Sequence, residues 1–280
     1  MRILVCVKQV PDTAEVKIDP VTNNLVRAGV PSMINPADRT ALTAALRLRA
    51  VCGGTVTVIS MGPPQAAAEL ERCLRWGADE AYLLCDRKLG GADTLATGHA
   101  LAGLIARLGY DLVLCGNEAV DGCTGQVGPG IGETLGIPAF SYVSELRSED
   151  GASIDVTRST GDTQDTYRVK LPALACLLWQ ETAELPERED IPAVQMLDAS
   201  FLDETQIGSK GSPTRVVKIT VKQREYQYLQ VDYHWPLEQR MDYIFRGGLS
   251  KKDVNLLRGT AEEQAQRVLV ALERQEVQQR

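Results

Sequence analysis

The chain has 280 residues, a formal net charge of −7 and a pI near 5.1, a balance that argues against nucleic acid or an anionic membrane surface as its main partner. Apolar residues make up 44%, enough for a sizeable core, yet no run of ~18 apolar residues occurs, so no membrane insertion is expected. The N-terminal Met-Arg-Ile-Leu-Val-Cys-Val-Lys begins a strand at once and carries no signal-peptide pattern, which points to a cytoplasmic protein.

Arg2–Val7 is a compact apolar run, read as a buried parallel strand that ends in the turn Lys8–Thr13. Glu15–Asp19 and Leu25–Arg27 around Thr22-Asn-Asn24 read as a small hairpin. Asn35-Pro36-Ala37-Asp38 is a helix start: Asn caps, Pro takes the first helical position and Asp can reach back to the cap. That helix runs to about Cys52 and stops at Gly53-Gly54. Thr55–Ser60 is the next strand, Met61-Gly-Pro-Pro64 opens a helix to Trp76, and Ala81–Cys85 is a third strand. Asp93 caps a helix through Leu108, and Asp111–Cys115 is a fourth strand.

Next comes Cys115–Gly132, with glycines at 116, 122, 125, 128, 130 and 132 and with Asp121, Thr124 and Gln126 among them. Glycine lets backbone N–H groups approach a ligand closely, and a helix start attracts anions. The stretch reads as a nucleotide phosphate cradle, with a mobile surface loop as the alternative. Beyond Pro138, the segments Ala139–Leu146, Ser153–Arg158, Thr166–Lys170 and Ala173–Trp179 read as further strands, some antiparallel. From Thr182 the chain is polar and proline-bearing, an excursion away from the core, and Ser212–Val221 looks like a returning strand. Tyr226–Phe245 is aromatic, and Thr260–Gln279 reads as a helix that either docks on a partner or packs on its own domain.

Strand and helix alternate at short spacing, which gives an α/β fold with a mostly parallel sheet flanked by helices and with antiparallel additions. The expected divisions are a nucleotide-binding domain over 1–181, a loop and returning strand over 182–222, and a C-terminal arm over 223–280. In such sheets ligands bind beyond the carboxyl ends of the strands, near a switch in strand order. The turns Lys8–Thr13, Met61–Pro64 and Gly116–Gly130 all leave carboxyl ends, so they are expected to converge.

Catalytic side chains are not evident. His99 falls in a helix pattern and His234 in the aromatic tail, so both read as structural. Cysteines stand at 6, 52, 73, 85, 115, 123 and 176 without a Cys-x-x-Cys pair, and a metal site is not expected. Most of them should be reduced core residues; Cys123 is the exception, because it sits in the glycine loop. There is no P-loop motif, and no Gly-x-Gly-x-x-Gly follows the first strand. A nucleotide site without acid–base machinery either only binds or leaves the chemistry to a cofactor.

The motifs Val5-Cys-Val-Lys-Gln-Val-Pro-Asp12, Pro31-Ser-Met-Ile-Asn-Pro-Ala-Asp38, Ser60-Met-Gly-Pro63, Gly77-Ala-Asp79, Val120-Asp-Gly-Cys-Thr-Gly-Gln-Val-Gly-Pro129, Lys170-Leu-Pro-Ala173 and Gly211-Ser-Pro-Thr214 together resemble the beta (small) subunit of electron transfer flavoproteins. The likeness covers about residues 1–220 and implies a Rossmann-like domain of the adenine-nucleotide alpha-hydrolase type. Family members hold either a structural AMP or a second FAD that takes hydride from NADH and bifurcates its electrons. Val10–Thr13 and Asp121–Pro129 resemble the bifurcating, FAD-holding kind.

On this chain the resemblance puts adenine and ribose near Cys6, Asn35 and Met61, with Lys8, Gly62 and Gly116 beside them. Phosphates would meet Asp121, Gly122, Cys123, Thr124, Gly125, Gln126, Val127 and Gly128. A flavin ring would lie near Val10, Pro11, Asp12 and Thr13. The implied partners are an electron transfer flavoprotein alpha subunit carrying its own FAD, and a flavin dehydrogenase of the acyl-CoA dehydrogenase kind or a quinone-linked oxidoreductase. The chain departs from the family at Cys123, where bifurcating relatives usually have Asp, and at the acidic Ala183–Ile191 stretch. A structural AMP-binding role and a nucleotide-hydrolysing enzyme of the same fold are the competing readings. The hydrolase loses ground because Lys8-Gln-Val-Pro11 stands where such enzymes carry Ser-Gly-Gly.

Overall fold

The computed structural model describes residues 1–12, 31–215, 217, 234–245, 260 and 265. The chain divides into two compact units, Met1–Val221 and Lys222–Arg280. The first unit is built on a nine-stranded sheet. In chain order its strands are β1 (Arg2–Cys6), β4 (Thr55–Met61), β5 (Glu80–Leu84), β6 (Leu112–Gly116), β7 (Ala139–Arg147), β8 (Ser153–Thr160), β9 (Thr163–Lys170), β10 (Ala173–Leu177) and β11 (Gln195–Leu197). A separate antiparallel pair, β2 (Gln9–Pro11) and β3 (Ser32–Ile34), stands just past β1.

The sheet order is β11-β5-β4-β1-β6-β10-β7-β8-β9. From β1 the chain winds outward through β4 and β5, then crosses back to place β6 on the other side of β1. This reversal is the switch point at which an open α/β sheet leaves a crevice. Pairing is parallel from β11 through β7 and antiparallel for β7–β8 and β8–β9.

Among the described residues, the α-helices of this unit are α1 (Pro36–Cys52), α2 (Ala67–Arg75), α3 (Thr94–Leu108) and α4 (Val127–Leu135). Alternation along each strand decides which helices it meets. Ile3 and Val5 of β1 pack with Leu42 and Ala45 of α1 and Leu70 and Leu74 of α2. Leu4, between them, joins Leu101, Leu104 and Ile105 of α3 and Ile131 of α4. The central strands β1 and β6 are therefore apolar without alternation past Arg2, as a sheet covered on both faces requires. Asp93 caps α3 with its carboxylate, accepting from the N–H groups of Leu95 and Ala96. Gly109 ends α3 at φ +73°, a conformation that suits glycine.

Three expectations need correction. Asn35 stands at the cap of α1, but its side chain makes no capping bond; it is committed elsewhere, as described below. The segment after Thr182 does not leave the core for long. Its residues Gln195–Leu197 add β11 alongside β5, and Ala199 and Ile207 are buried in the α3 cluster. Ser212–Arg215 form no strand, because Ser212 and Thr214 are drawn onto Asp93: the Ser212 hydroxyl accepts from the Asp93 N–H, and the Thr214 N–H donates to the Asp93 carboxylate. The hairpin expected over 15–27 lies outside the described residues, as do most of the strand over 212–221 and the helix over 260–279.

In the second unit the described part contains α5 (Leu237–Phe245). Trp235 and Tyr243 meet edge-to-face there, with ring centroids 5.4 Å apart.

Candidate functional site

A cavity of about 940 Å3 opens beyond the carboxyl ends of β1, β4, β5 and β6, at the switch in strand order. Its floor is made by the strand ends: Cys6, Ile59, Met61, Cys85 and Cys115. Three helix starts bring residues to its wall: Asp38 from α1, Asp93 and Thr94 at α3, and Gln126 to Gly128 at α4. Helix N-termini offer unpaired N–H groups and a positive dipole end, so the wall suits an anionic ligand. The volume lies at the upper end of the ~300–1,000 Å3 usual for small-molecule sites.

Of the residues expected from sequence, Cys6, Lys8, Met61, Gly62, Gly116, Gly122, Cys123, Thr124, Gly125, Gln126, Val127 and Gly128 line this cavity. Asn35 and Asp121 are not among the lining residues: Asn35 is buried behind the wall, and Asp121 is exposed beside Lys8. Val10, Pro11 and Asp12 do not line it: Gln9–Pro11 is paired with Ser32–Ile34, and Val10 is buried in that contact at 1% exposure. Thr13 lies outside the described residues.

Two buried polar residues at the start of α1 hold the wall together. Asn35, 1% exposed, donates from its amide to the Glu118 carbonyl at 2.9 Å and accepts from the Val120 N–H at 3.1 Å. Asp38 accepts from the Lys8 N–H at 2.8 Å and from the Gly116 N–H at 3.0 Å. One short helical segment thus clamps the chain after β1 to the chain after β6. Gly116 is needed for this approach, since a Cβ there would come within 2.3 Å of Asp38 Oδ1. Burial pushes the Asp38 carboxyl up to about 7, against the lowering effect of Asn35 and of the Lys8 and Gly116 N–H groups.

The Lys8 ammonium meets Asp121 at 2.6 Å. Asp121 is therefore spent on steadying a cation at the rim of the cavity, and an anionic ligand would face Lys8 rather than the carboxylate. Two further acids that line the cavity are also committed. Asp86 accepts from the N–H groups of Lys88 and Ala199, which hold its carboxyl below the usual range. Asp93 caps α3 and also accepts from Thr214 N–H. With their lone pairs turned to backbone donors, these carboxylates repel a phosphate less than their number suggests.

Cys123 is exposed and sits at φ +50°. Its N–H donates to the Ala119 carbonyl at 2.8 Å, and its thiol to the Val120 carbonyl at 3.6 Å. Positive φ is tolerated better by Asp, Asn or Gly than by other residues, so the backbone at this position does not favour a cysteine.

The sequence reading missed Asp38 as a wall residue and the stretch Asp86 to Thr97 as one side of the cavity. A signal was present for the second. Gly90-Gly91 precedes the Asp93 cap of α3 after a strand, the same strand–glycine–helix order that marked the loop after β6. His99 lies within α3 and does not line the cavity.

Sheet order, cavity position and converging helix starts define a Rossmann-like α/β protein with its ligand cavity at the switch point. Residues 22–189 match the electron transfer flavoprotein domain. The chain is 43% identical over 268 residues to the electron transfer flavoprotein subunit beta of Thermoanaerobacterium thermosaccharolyticum, covering 92% of this chain and 96% of that one. It is 41% identical over 236 residues to the Protein FixA of Azorhizobium caulinodans, covering 78% and 84%. It is also 52% identical over 176 residues to the caffeyl-CoA reductase-Etf complex subunit CarD of Acetobacterium woodii, covering 62% and 67%. The chain belongs to the electron transfer flavoprotein family, as a beta-subunit member.

Proposed function

We propose that this chain, joined to an alpha subunit, transfers electrons between NADH or a flavin dehydrogenase and a redox partner, using an FAD held in the switch-point cavity, in the manner of flavin-based bifurcation. The observation that carries the reading is the cavity itself. It is large and walled by helix starts and a glycine loop. The resemblance of Asp121–Pro129 to the bifurcating kind supports FAD as the occupant, and a caffeyl-CoA reductase-Etf complex subunit among the relatives fits it. A flavin would supply the redox chemistry when bound. The protein's part is to hold it: backbone N–H groups of Gly122–Gly128 and the Lys8 ammonium toward phosphate, Cys6 and Met61 toward the adenosine.

AMP is the second reading, with electron transfer then carried by the alpha subunit's FAD alone. One observation favours it: Val10, Pro11 and Asp12, expected beside a flavin ring, do not line the cavity. The exposed, irregular stretch Glu184–Asp190 and the 223–280 arm are proposed as partner-facing segments, and a cytoplasmic setting is proposed with them. Among the described residues no helix is long and apolar enough to cross a membrane.

The test is to co-express the chain with its alpha subunit, denature the purified heterodimer and quantify both nucleotides. About two FAD per heterodimer and no AMP supports the first reading. One FAD with one AMP overturns it in favour of the second.

A further inference from the structure

Three thiols stand in a row beneath the glycine loop. Cys6 ends β1, Cys115 lies in β6 and Cys176 in β10, and these are successive neighbours in the sheet. Cys115 and Cys176 are direct register partners. Val5 pairs with Leu114, so one residue on, Cys6 falls opposite Cys115. Register partners project to the same face, and Cys6, Cys115 and Cys176 all belong to the sheet face covered by α3 and α4. Adjacent strands lie ~4.8 Å apart, within the ~4.4–6.8 Å between Cα atoms that a disulfide spans.

Access along the row is graded. Cys6 is partly exposed and, with Cys115, lines the cavity. Cys176 is 1% exposed, and its sulfur lies where a Cβ on Gly128 would stand. The row therefore runs from the cavity floor to the underside of the start of α4.

We propose that this row is a reversible oxidation site, at which a low-molecular-weight disulfide entering the cavity is reduced to two thiols while Cys115 and Cys176 become joined. In the first step the Cys6 thiol loses its proton to water and its sulfur attacks one sulfur of the small disulfide. The S–S bond of that molecule breaks, one small thiolate leaves and is protonated, and Cys6 carries a mixed disulfide. The Cys115 sulfur, deprotonated in turn, then attacks Cys6 and expels the second small thiol. Finally Cys176 gives up its proton and its sulfur attacks Cys115; the Cys6–Cys115 bond breaks, and the departing Cys6 thiolate takes up a proton to become a thiol again. Each exchange needs attacking, central and leaving sulfurs in line, and a straight row across three strands supplies that for the last step. In sum, two protein thiols lose two protons and two electrons, which the small disulfide takes up. Cys115 and Cys176 are buried while Cys6 is partly exposed, so Cys6 is the entry point. A nucleotide over Cys6 would slow the reaction; this part alone rests on the function proposed above.

The test uses the full chain with oxidised glutathione as probe, read by intact mass and by mapping of disulfide-linked peptides. The expected product has lost two hydrogens, carries no glutathione and links Cys115 to Cys176. Cys6→Ser and Cys6→Ala should each slow its formation at least tenfold, and Cys176→Ser should stop at a Cys6–Cys115 link. A stable glutathione adduct on Cys6, or a Cys115–Cys176 link formed as fast in the Cys6 variants, would overturn the proposal. Repeating the reaction with saturating AMP or FAD should slow it. An unchanged rate with bound nucleotide contradicts entry through the cavity. Failure of either nucleotide to bind overturns the proposed function instead, and formation of the Cys115–Cys176 link then still supports the thiol chemistry.

Discussion

Asp38 offers the sharpest test of how the cavity wall is held. Its carboxyl is buried at 6% exposure and titrates near about 7, against an ordinary value of 3.8. An acid whose pKa is raised in the fold binds its proton more tightly there than in the unfolded chain. Its contribution to stability is full below pH 3.8 and is lost as pH rises through about 7. The gap amounts to about 4 kcal/mol at most. Asp38→Asn removes the titration but also one of the two acceptors that hold the Lys8 and Gly116 N–H groups, a loss of about 1–3 kcal/mol. The variant should therefore be the less stable protein at about pH 4, where the unfolded chain has only begun to ionise, and the equal or more stable one at about pH 8. Denaturant or thermal unfolding of both chains across that range gives the comparison. Groups common to both cancel in the difference, and each kcal/mol moves the midpoint by about 2–4 °C in a domain of this size. Parallel stability curves for the two proteins would refute the reasoning, because Asp38 would then not titrate in this window.

Three further changes test the same architecture. Asn35→Ala leaves the Glu118 carbonyl and the Val120 N–H without their partner, and should cost about 2 kcal/mol and raise amide hydrogen exchange across residues 117–126. Gly128→Ala drives a Cβ to within 2.2 Å of the Cys176 sulfur and should cost about 1–3 kcal/mol; adding Cys176→Ala should recover most of that, measured as a double-mutant cycle. Lys8→Met breaks a solvent-facing pair with Asp121, so stability should move by less than ~1 kcal/mol, while nucleotide retention through gel filtration should fall.

The architecture was legible where one residue's local chemistry and the global fold agree. Buried apolar runs such as Ile3–Val5 and Leu112–Leu114 could only be central parallel strands, and the Asp93 cap and Gly109 stop bounded α3 to the residue. The glycine loop was legible because its composition is unusual. What sequence concealed is the direction in which polar side chains at helix starts turn. Asn35 and Asp38 fit a local cap, and nothing in Asn-Pro-Ala-Asp says that their lone pairs serve Val120 and Gly116 some 80 residues away. Non-local bonds of this kind depend on the sheet order, which puts β6 beside β1. The three-residue strand β11 was hidden for another reason: Gln195-Met-Leu197 lies on an edge, too short to show a period. Lys8 and Asp121 were both assigned to the ligand, but their mutual attraction decides which one faces it.

The central claim is that a nucleotide occupies the cavity at the switch point against the loop Gly116–Gly128. Gly122 lines the cavity and permits a direct measurement, because a Cβ there meets only the Lys8 ammonium at 3.9 Å, so Gly122→Trp sets an indole against the loop without straining the backbone. Nucleotide released per chain from the purified variant and parent should be compared at matched unfolding midpoints. An unchanged midpoint and a loss of the nucleotide bound by this chain are expected. Full nucleotide content in a folded Gly122→Trp variant would contradict it.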